Sequence, residues 1–418
     1  SLRMTDRALS LSNIVVLGRI LDPNDFGLMG IALITLVALQ RFTISGFNAA
    51  LIQKTGNIES YLNVTWTVEV VRGIILYLLL FISSPYVALF FKTPDARLVI
   101  QVIGISLLLH SFTNIGIIYF QKELKFNKIF IYQLCGTLAD FTTAITVALI
   151  YKNVWALVFG KLAGKFVSLV MSYLMHSYRP RLGIDLEKVK ELFSFGKWIL
   201  GSMILFFLIS HGGDIVIGKI LGATMLGFYQ IAYRISNISV TEITSVVSKV
   251  TYPAYSKLQG STIKLKNAFL KVLQVSAFFS FTTAVFIISL AEDITVIILG
   301  EKWISIVPTL KVLAISGAVK SIRGTMVSVF KSIGKPKIAT KWDIVDLLFL
   351  CVFVYPLSVK YGIVGTSYAI LLSSLISTIG YSSGIIQELK CKFTQFGKMI
   401  LFPVINGLVI VLLLTFFK

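Results

Sequence analysis

Two stretches of the chain decide its fold: GRILDPNDFGLMGIA at residues 18–32 and GKILGATMLGFYQIA at residues 218–232. They share glycine, isoleucine, leucine and alanine at matching positions, at an offset of 200 residues. Further along, Ile105-Ser106 matches Ile315-Ser316 at an offset of 210. The pattern indicates that one large unit has been duplicated, and in membrane proteins such duplication is typical of transporters.

The composition places this chain in a membrane. Hydrophobic residues make up 56% of its 418 residues and charged residues only 14%, and the mean hydropathy is +0.86. That leaves too little polar surface for a soluble domain. The net charge of +20 falls mostly in short gaps between apolar segments, so nucleic acid is not expected as a partner. The cysteines Cys135, Cys351 and Cys391 have no metal-ligand spacing, and no metal or cofactor is expected.

The apolar segments predict an all-α polytopic membrane protein. A hydrocarbon core of about 30 Å needs about 20 apolar residues per span. Thirteen segments fit this length: 3–21, 27–52, 61–83, 97–119, 128–150, 154–176, 195–219, 225–252, 266–289, 305–333, 338–359, 362–388 and 396–416.

Two sets of six spans and one extra follow from this count. We predict an N-terminal six-helix bundle over 1–176, a cytoplasmic amphipathic linker over 177–197, a C-terminal bundle over 198–388 and an additional transmembrane helix over 389–418. Six is an even number, so both bundles enter the membrane from the same side. The repeat is therefore expected to be parallel, with a pseudo-two-fold axis along the membrane normal.

Charge in the loops predicts the orientation. Lysine and arginine are frequent in every second loop, as at 122–128 and 179–190, whereas the alternate loops hold acidic turns such as Asp22-Pro23-Asn24-Asp25. The positive-inside rule then puts the N-terminus on the cytoplasmic side. We expect the protein to lie in the inner or plasma membrane of the cell. In the linker, Leu186 and Val189 alternate with charged residues, which indicates an amphipathic helix at the membrane interface.

Several motifs, in order along most of the chain, resemble the polysaccharide transporter or oligosaccharide flippase family. The likeness is greatest to exporters of colanic-acid type, within the multidrug/oligosaccharidyl-lipid/polysaccharide exporter superfamily. The stretches that carry it are residues 19–28 (RILDPNDFGL), 50–54 (ALIQK), 121–128 (QKELKFNK), 214–222 (DIVIGKILG), 252–258 (YPAYSKL) and 300–303 (GEKW), with Pro308 and Leu310.

The resemblance implies two six-helix bundles that open a cavity alternately to the two sides of the membrane. The cargo it implies is a polyprenyl-pyrophosphate-linked oligosaccharide, moved to the outer leaflet for polysaccharide biosynthesis. Membrane lipids are expected as partners, contact with polysaccharide polymerase machinery is left open, and a monomer is expected. Flippases of this family usually have fourteen spans, against the thirteen predicted here.

Basic residues within the spans are candidates for binding an anionic cargo. A charge near the centre of a bilayer costs about 2.5–3.5 kcal/mol, so it is expected to face protein or a watery cavity. Lysine and arginine can replace the water around phosphate oxygens, although such side chains also snorkel to the headgroups or neutralise a carboxylate. The candidates for a basic cavity are Lys161, Lys165, Arg234, Lys320 and Arg323. His110 occupies the repeat position of Lys320, and hydrogen-bonded structure is its favoured role over proton transfer.

Acidic residues within the spans are fewer. The candidates for H⁺ or Na⁺ coupling are Asp214 and Asp140. Asp214 follows the segment His211-Gly212-Gly213, which is expected to be flexible. Two further pairs are predicted as gate or structural ion pairs: Glu69 with Arg72, and Glu242 with Lys249.

Other charged positions have structural explanations. Asp343 and Asp346 open a span, where a carboxylate stabilises a helix N-terminus. Arg19 and Lys219 occupy equivalent repeat positions and are interpreted as topological anchors rather than phosphate contacts.

Two other functions were weighed against the flippase. A multidrug extruder of the same superfamily would favour acidic and aromatic cavity residues, against the surplus of basic residues near the midplane. A membrane-embedded glycan polymerase or acyltransferase would need a long catalytic loop with paired acid and base residues, and the predicted outer loops are short. We therefore expect a transporter and assign no catalytic residue.

Overall fold

The computed structural model describes residues 2–43, 51, 58–237, 245–392, 394–399 and 403, and within these residues the regular structure is helical, without strands. Fifteen α-helices follow in chain order: α1 Leu2–Ile20, α2 Pro23–Phe42, α3 Glu59–Phe90, α4 Ala96–Ile103, α5 Ile105–Ser111, α6 Ile118–Lys122, α7 Phe126–Tyr151, α8 Trp155–Met175, α9 Leu186–Ile220, α10 Ala223–Ser236, α11 Ser245–Leu258, α12 Thr262–Ser289, α13 Ala291–Ile294, α14 Val307–Ser332 and α15 Pro336–Leu389.

Eight helices of the described part are long and apolar enough to cross a membrane, or nine if the bent pair Ala96–Ser111 and Ile115–Lys122 forms one span. The longest, α15, is interrupted at Gly362, whose φ of 60° and ψ of −141° are not helical. This break falls between the predicted spans 338–359 and 362–388, so α15 holds two apolar segments. Most of the predicted span 396–416 lies outside the described residues. The chain is an all-α polytopic membrane protein, and the number thirteen stays a prediction.

The connection before α9 begins without regular secondary structure. Residues 176–185 are neither helix nor strand, and helix begins at Leu186, from which α9 continues to Ile220. The predicted linker over 177–197 stays a prediction. Pro180 disfavours helix in the residue before it, and Asp185 caps the new helix, because its Oδ1 accepts the N–H groups of Glu187 and Lys188 at 3.1 and 3.2 Å. The amphipathic residues thus form the first turns of a spanning helix.

The described residues fold as two compact units. Unit 1 comprises residues up to Phe207 together with Gly222–Gly227, and unit 2 comprises Leu208–Leu221 and the chain from Phe228 onward. Unit 1 has a small core of α1, α7 and α8, in which Leu17 and Leu21 pack on Ala144, Ala148 and Ala156. Unit 2 has a larger core of α12, α14 and α15: Phe269, Leu273, Met326, Phe330 and Tyr381. The predicted bundle limits, 1–176 and 198–388, stay predictions.

The two copies of the repeated motif meet in a reciprocal contact inside unit 1. A Cβ added to Gly27 would lie 1.8 Å from the carbonyl oxygen of Ala223, and one added to Gly227 would lie 1.9 Å from that of Pro23. These two contacts are related by the offset of 200, and Thr224 Oγ1 lies 3.3 Å from its counterpart Asn24 Oδ1. Only glycine permits such an approach of helix backbones. The glycines of the motif are therefore required by packing.

We expect Gly27→Ala and Gly227→Ala each to lower the melting temperature of the purified protein, because the added methyl group meets backbone atoms, and overpacking costs about 1–3 kcal/mol or more. The matched control is Gly201→Ala, since a Cβ at Gly201 meets no atom within 4 Å. A thermal-unfolding scan in detergent measures the effect. Equal melting temperatures for all three variants would contradict the packing role.

Candidate functional site: charged clusters within the two units

The first cluster of unit 1 is built on α3. Arg72 Nη1 donates to Glu69 Oε2 at 2.8 Å, as predicted from their spacing. The guanidinium also donates to the carbonyl oxygen of Gln40 at 3.2 Å and to Thr43 Oγ1 at 3.3 Å. Arg72 therefore joins α3 to the end of α2, and its charge is compensated by Glu69.

A second ion pair joins α7 to α8. Lys161 Nζ donates to Asp140 Oδ2 at 2.8 Å. The helices approach closely because Gly160 and Gly164 face α7, and a Cβ at Gly160 would lie 2.8 Å from Asp140 Oδ1. Both residues were predicted separately, Lys161 for substrate and Asp140 for ion coupling. The structure brings them together, so each compensates the charge of the other.

His110 and Lys165 link these two ion pairs. His110 interacts electrostatically with Lys165, Glu69 and Arg72, and Lys165 interacts with Lys161 and Asp140. Within the described part of the chain, Lys165 forms no salt bridge. The two ion pairs, His110 and Lys165 form one cluster. With His110 neutral, its three cations, Arg72, Lys161 and Lys165, outnumber its two carboxylates, Glu69 and Asp140. The surplus positive charge of the cluster is centred on Lys165.

The first cluster of unit 2 is centred on Asp214, which is buried. Its Oδ2 lies 2.9 Å from Nδ1 of His211, one helical turn earlier. Lys320 interacts electrostatically with Asp214, and its Nζ lies 5.5 Å from the ring centroid of Tyr233. The predicted flexibility of His211-Gly212-Gly213 is wrong: these residues are helical within α9. Asp214 is thus held by regular structure beside a histidine and a lysine.

A second network of unit 2 surrounds Arg323 on α14. Its guanidinium forms an ion pair with Asp346 and donates to Ser377 Oγ at 2.9 Å. The Tyr381 ring lies 5.9 Å from the guanidinium carbon, and the Tyr381 hydroxyl donates to Asp343 Oδ1 at 2.7 Å. The helix-end interpretation of Asp343 and Asp346 is wrong, because α15 begins at Pro336, two turns earlier. Both carboxylates instead serve partners in the core.

Comparison with known proteins decides the family. The family model described as polysaccharide biosynthesis protein matches residues 16–308. The chain belongs to that family. It is 26% identical over 373 residues to the lipopolysaccharide biosynthesis protein WzxC of Escherichia coli K12, which covers 89% of this chain and 76% of the relative.

Two solved structures share the fold of this polysaccharide biosynthesis protein. The inward closed lipid II flippase MurJ matches with a TM-score of 0.77 at 15% identity, covering 98% of this chain and 91% of the other. An inward-facing multidrug resistance transporter of the MATE family matches with a TM-score of 0.74 at 15% identity, covering 92% and 95%. At these identities the likeness shows the fold alone.

The remaining predicted residues of this family member are less informative. Arg234 is exposed in the last turn of α10. Glu242 and the side chain of Lys249 lie outside the described residues, so their pairing stays a prediction. Arg19 and Lys219 occupy the last turns of α1 and α9, where a cation interacts favourably with the helix dipole, as expected for an anchor.

Sequence reasoning missed several partners. The contact of His211 with Asp214 could have been predicted, because a histidine three residues before an aspartate shares its helix face. The contacts of Ser377 and Tyr381 could not have been predicted, because these residues lie 54 and 38 positions from their partners, Arg323 and Asp343. Long-range contacts of this kind leave no periodic signal in one sequence.

We expect Arg323→Met to lower stability by about 3–5 kcal/mol, because it leaves the buried Asp346 carboxylate unpaired. The double variant Arg323→Met/Asp346→Leu is expected to recover most of the loss, since no charge then remains buried. Thermal unfolding in detergent provides the comparison. The exposed pair Lys335–Glu388, at 2.6 Å, is the control, and Lys335→Met is expected to cost at most about 1 kcal/mol. A double variant as unstable as the single one would contradict this account.

Proposed function

We propose that this protein moves a polyprenyl-pyrophosphate-linked oligosaccharide from the cytoplasmic to the outer leaflet of the cell membrane by alternating access. The family connects the chain with polysaccharide biosynthesis, and its fold is that of transporters. Sugar and pyrophosphate do not cross hydrocarbon unaided, whereas the lipid tail can remain in the bilayer. A transporter is therefore the kind of protein that such a biosynthetic route needs.

The observation that carries the proposal is the difference in ion pairing among the basic residues of the spans. Lys161 and Arg323 are ion-paired with Asp140 and Asp346, whereas Lys165 and Lys320 form no salt bridge in the described part of the chain. A lysine without a carboxylate partner can exchange its water for phosphate oxygens, and such charge-assisted hydrogen bonds are about twice as strong as neutral ones. We assign phosphate binding to Lys165 and Lys320, with His110 beside Lys165.

The alternative cargo is a cationic drug, since a multidrug transporter shares the fold. A cationic cargo needs a carboxylate without a cation. Among the described carboxylates of the clusters, Glu69, Asp140 and Asp346 are paired with basic residues, and Asp214 lies beside His211 and near Lys320. Asp343 accepts the Tyr381 hydroxyl and interacts electrostatically with Arg323. This arrangement favours an anionic cargo.

Asp214 is the better of the two coupling candidates. Its partner is a histidine, the residue type most often used as a proton carrier in proteins, whereas the partner of Asp140 is a lysine. We propose that Asp214 and His211 together bind the H⁺ or Na⁺ that drives the cycle.

The N-terminus is proposed to be cytoplasmic, the protein is proposed to act as a monomer, and contact with polymerase machinery is part of the same proposal.

Liposomes that contain the purified protein and a fluorescent polyprenyl-pyrophosphate oligosaccharide test the cargo. Loss of one charge-assisted contact, worth about 1.5–3 kcal/mol, predicts that Lys165→Ala and Lys320→Ala each slow translocation about 10- to 100-fold. Lys337→Ala, which removes an exposed lysine at the start of α15, is the control and is expected to act like the wild type. Wild-type rates in both test variants would refute the role of these lysines. Extrusion of ethidium without translocation of the lipid would favour the drug transporter.

The same liposomes test coupling. We expect Asp214→Asn to abolish the response of the translocation rate to an imposed pH or Na⁺ gradient, while cargo binding is retained. The gradient that accelerates the wild type identifies the ion. Asp140→Asn is the comparison, and it is expected to keep the gradient response. A normal response in Asp214→Asn, with loss in Asp140→Asn, would transfer the coupling role to Asp140.

A further inference from the structure

Residues 176–185, called here the strap, lie against the start of α3 without regular secondary structure. The N–H of Arg181 donates to Asn63 Oδ1 at 2.8 Å, and the N–H of Gly183 donates to Thr67 Oγ1 at 3.0 Å. The Tyr178 hydroxyl also donates to Asn63 Oδ1, at 2.7 Å. These bonds, made mostly by the backbone, fix the path of the strap over unit 1.

The position of Asn63 and Thr67 on α3 tells which surface the strap covers. Both belong to one face of the helix, at spacings of three and four residues from side chains that are large, apolar and largely exposed: Val71, Ile74, Leu78 and Ile82. On a helix that is long and apolar enough to span a membrane, such a stripe faces lipid. The strap therefore lies on the lipid-facing side of α3, at one end of the stripe.

The strap continues this apolar surface. Leu182 and Ile184 of the strap and Leu186, the first residue of α9, are exposed by 76%, 78% and 76%. Three large aliphatic side chains in a row are costly in water, at about 25 cal/mol per Å² of apolar surface. Arg179 and Arg181, both exposed, precede them. Apolar residues beside cations are the composition of a segment that lies at the boundary between acyl chains and headgroups.

We propose that the strap is a lipid anchor of unit 1. Leu182, Ile184 and Leu186 enter the acyl-chain boundary of the adjacent leaflet, which the loop charges predict to be the cytoplasmic one. Arg179 and Arg181 meet the phosphates, with a preference for anionic phospholipids. Because Asp185 caps α9, the anchor also sets the depth at which α9 starts. This inference needs only the membrane setting and does not depend on the cargo.

Spin labels test the anchor. Single cysteines are introduced by Leu182→Cys and Ile184→Cys into a chain whose Cys135, Cys351 and Cys391 are replaced by serine, and folding is checked by elution profile and circular dichroism. The protein is placed in phosphatidylcholine vesicles with and without phosphatidylglycerol. Power-saturation resonance then compares collision with oxygen, which is enriched in lipid, and with a water-soluble nickel chelate. Lys337→Cys, at an exposed position at the start of α15, is the aqueous control.

The anchor predicts a positive depth parameter at residues 182 and 184 and a negative one at 337, with greater depth when phosphatidylglycerol is present. Arg181→Gln is expected to reduce that lipid-dependent difference. Nickel access at 182 and 184 equal to that at 337 would overturn the anchor and would point to a protein partner for this surface instead. Equal depth in the two kinds of vesicle would overturn the anionic preference.

Discussion

A charge placed in an apolar helix is costly unless a partner compensates it, and the packing of both units reflects this constraint. In unit 1, Gly160 and Gly164 let α8 approach α7 closely enough for Lys161 to reach Asp140. In unit 2, the bond of Arg323 to Asp346 joins α14 to α15 beside Tyr381 of the core. The close packing of helices in both units thus also brings the partners of these ion pairs together.

The same constraint narrows the functional site. The sequence alone does not distinguish the five basic candidates, because for each of them a charge in hydrocarbon costs a similar free energy. Ion pairing separates Lys161 and Arg323, whose charges are compensated, from Lys165 and Lys320, which form no salt bridge in the described part of the chain. A cavity that binds phosphate needs cations of the second kind, which are not held in a salt bridge. The structural cations and the proposed binding cations are therefore different members of one predicted set.

Periodic and local features were predictable from sequence, and long-range pairs were not. Apolar segment length predicted the helical membrane fold, and the repeat predicted that Gly27 and Gly227 are equivalent, which their reciprocal contact supports. The pair Glu69–Arg72 followed from a spacing of three residues. Asp140–Lys161 depends on how α7 and α8 pack, and Asp343–Tyr381 on how the two parts of α15 pack across the break at Gly362, and no spacing encodes either contact. The strap was missed because its bonds to Asn63 and Thr67 join residues 118 and 116 positions apart in the sequence.

The central claim is that the cargo is recognised by its negative charge, through Lys165 and Lys320. Native mass spectrometry of the purified wild-type protein tests this most directly, in competition between polyprenyl pyrophosphate and the uncharged polyprenol of equal chain length. The account predicts that the pyrophosphate is bound in clear excess, and that the excess disappears in the double variant Lys165→Ala/Lys320→Ala. Equal binding of the two lipids by the wild type would contradict it.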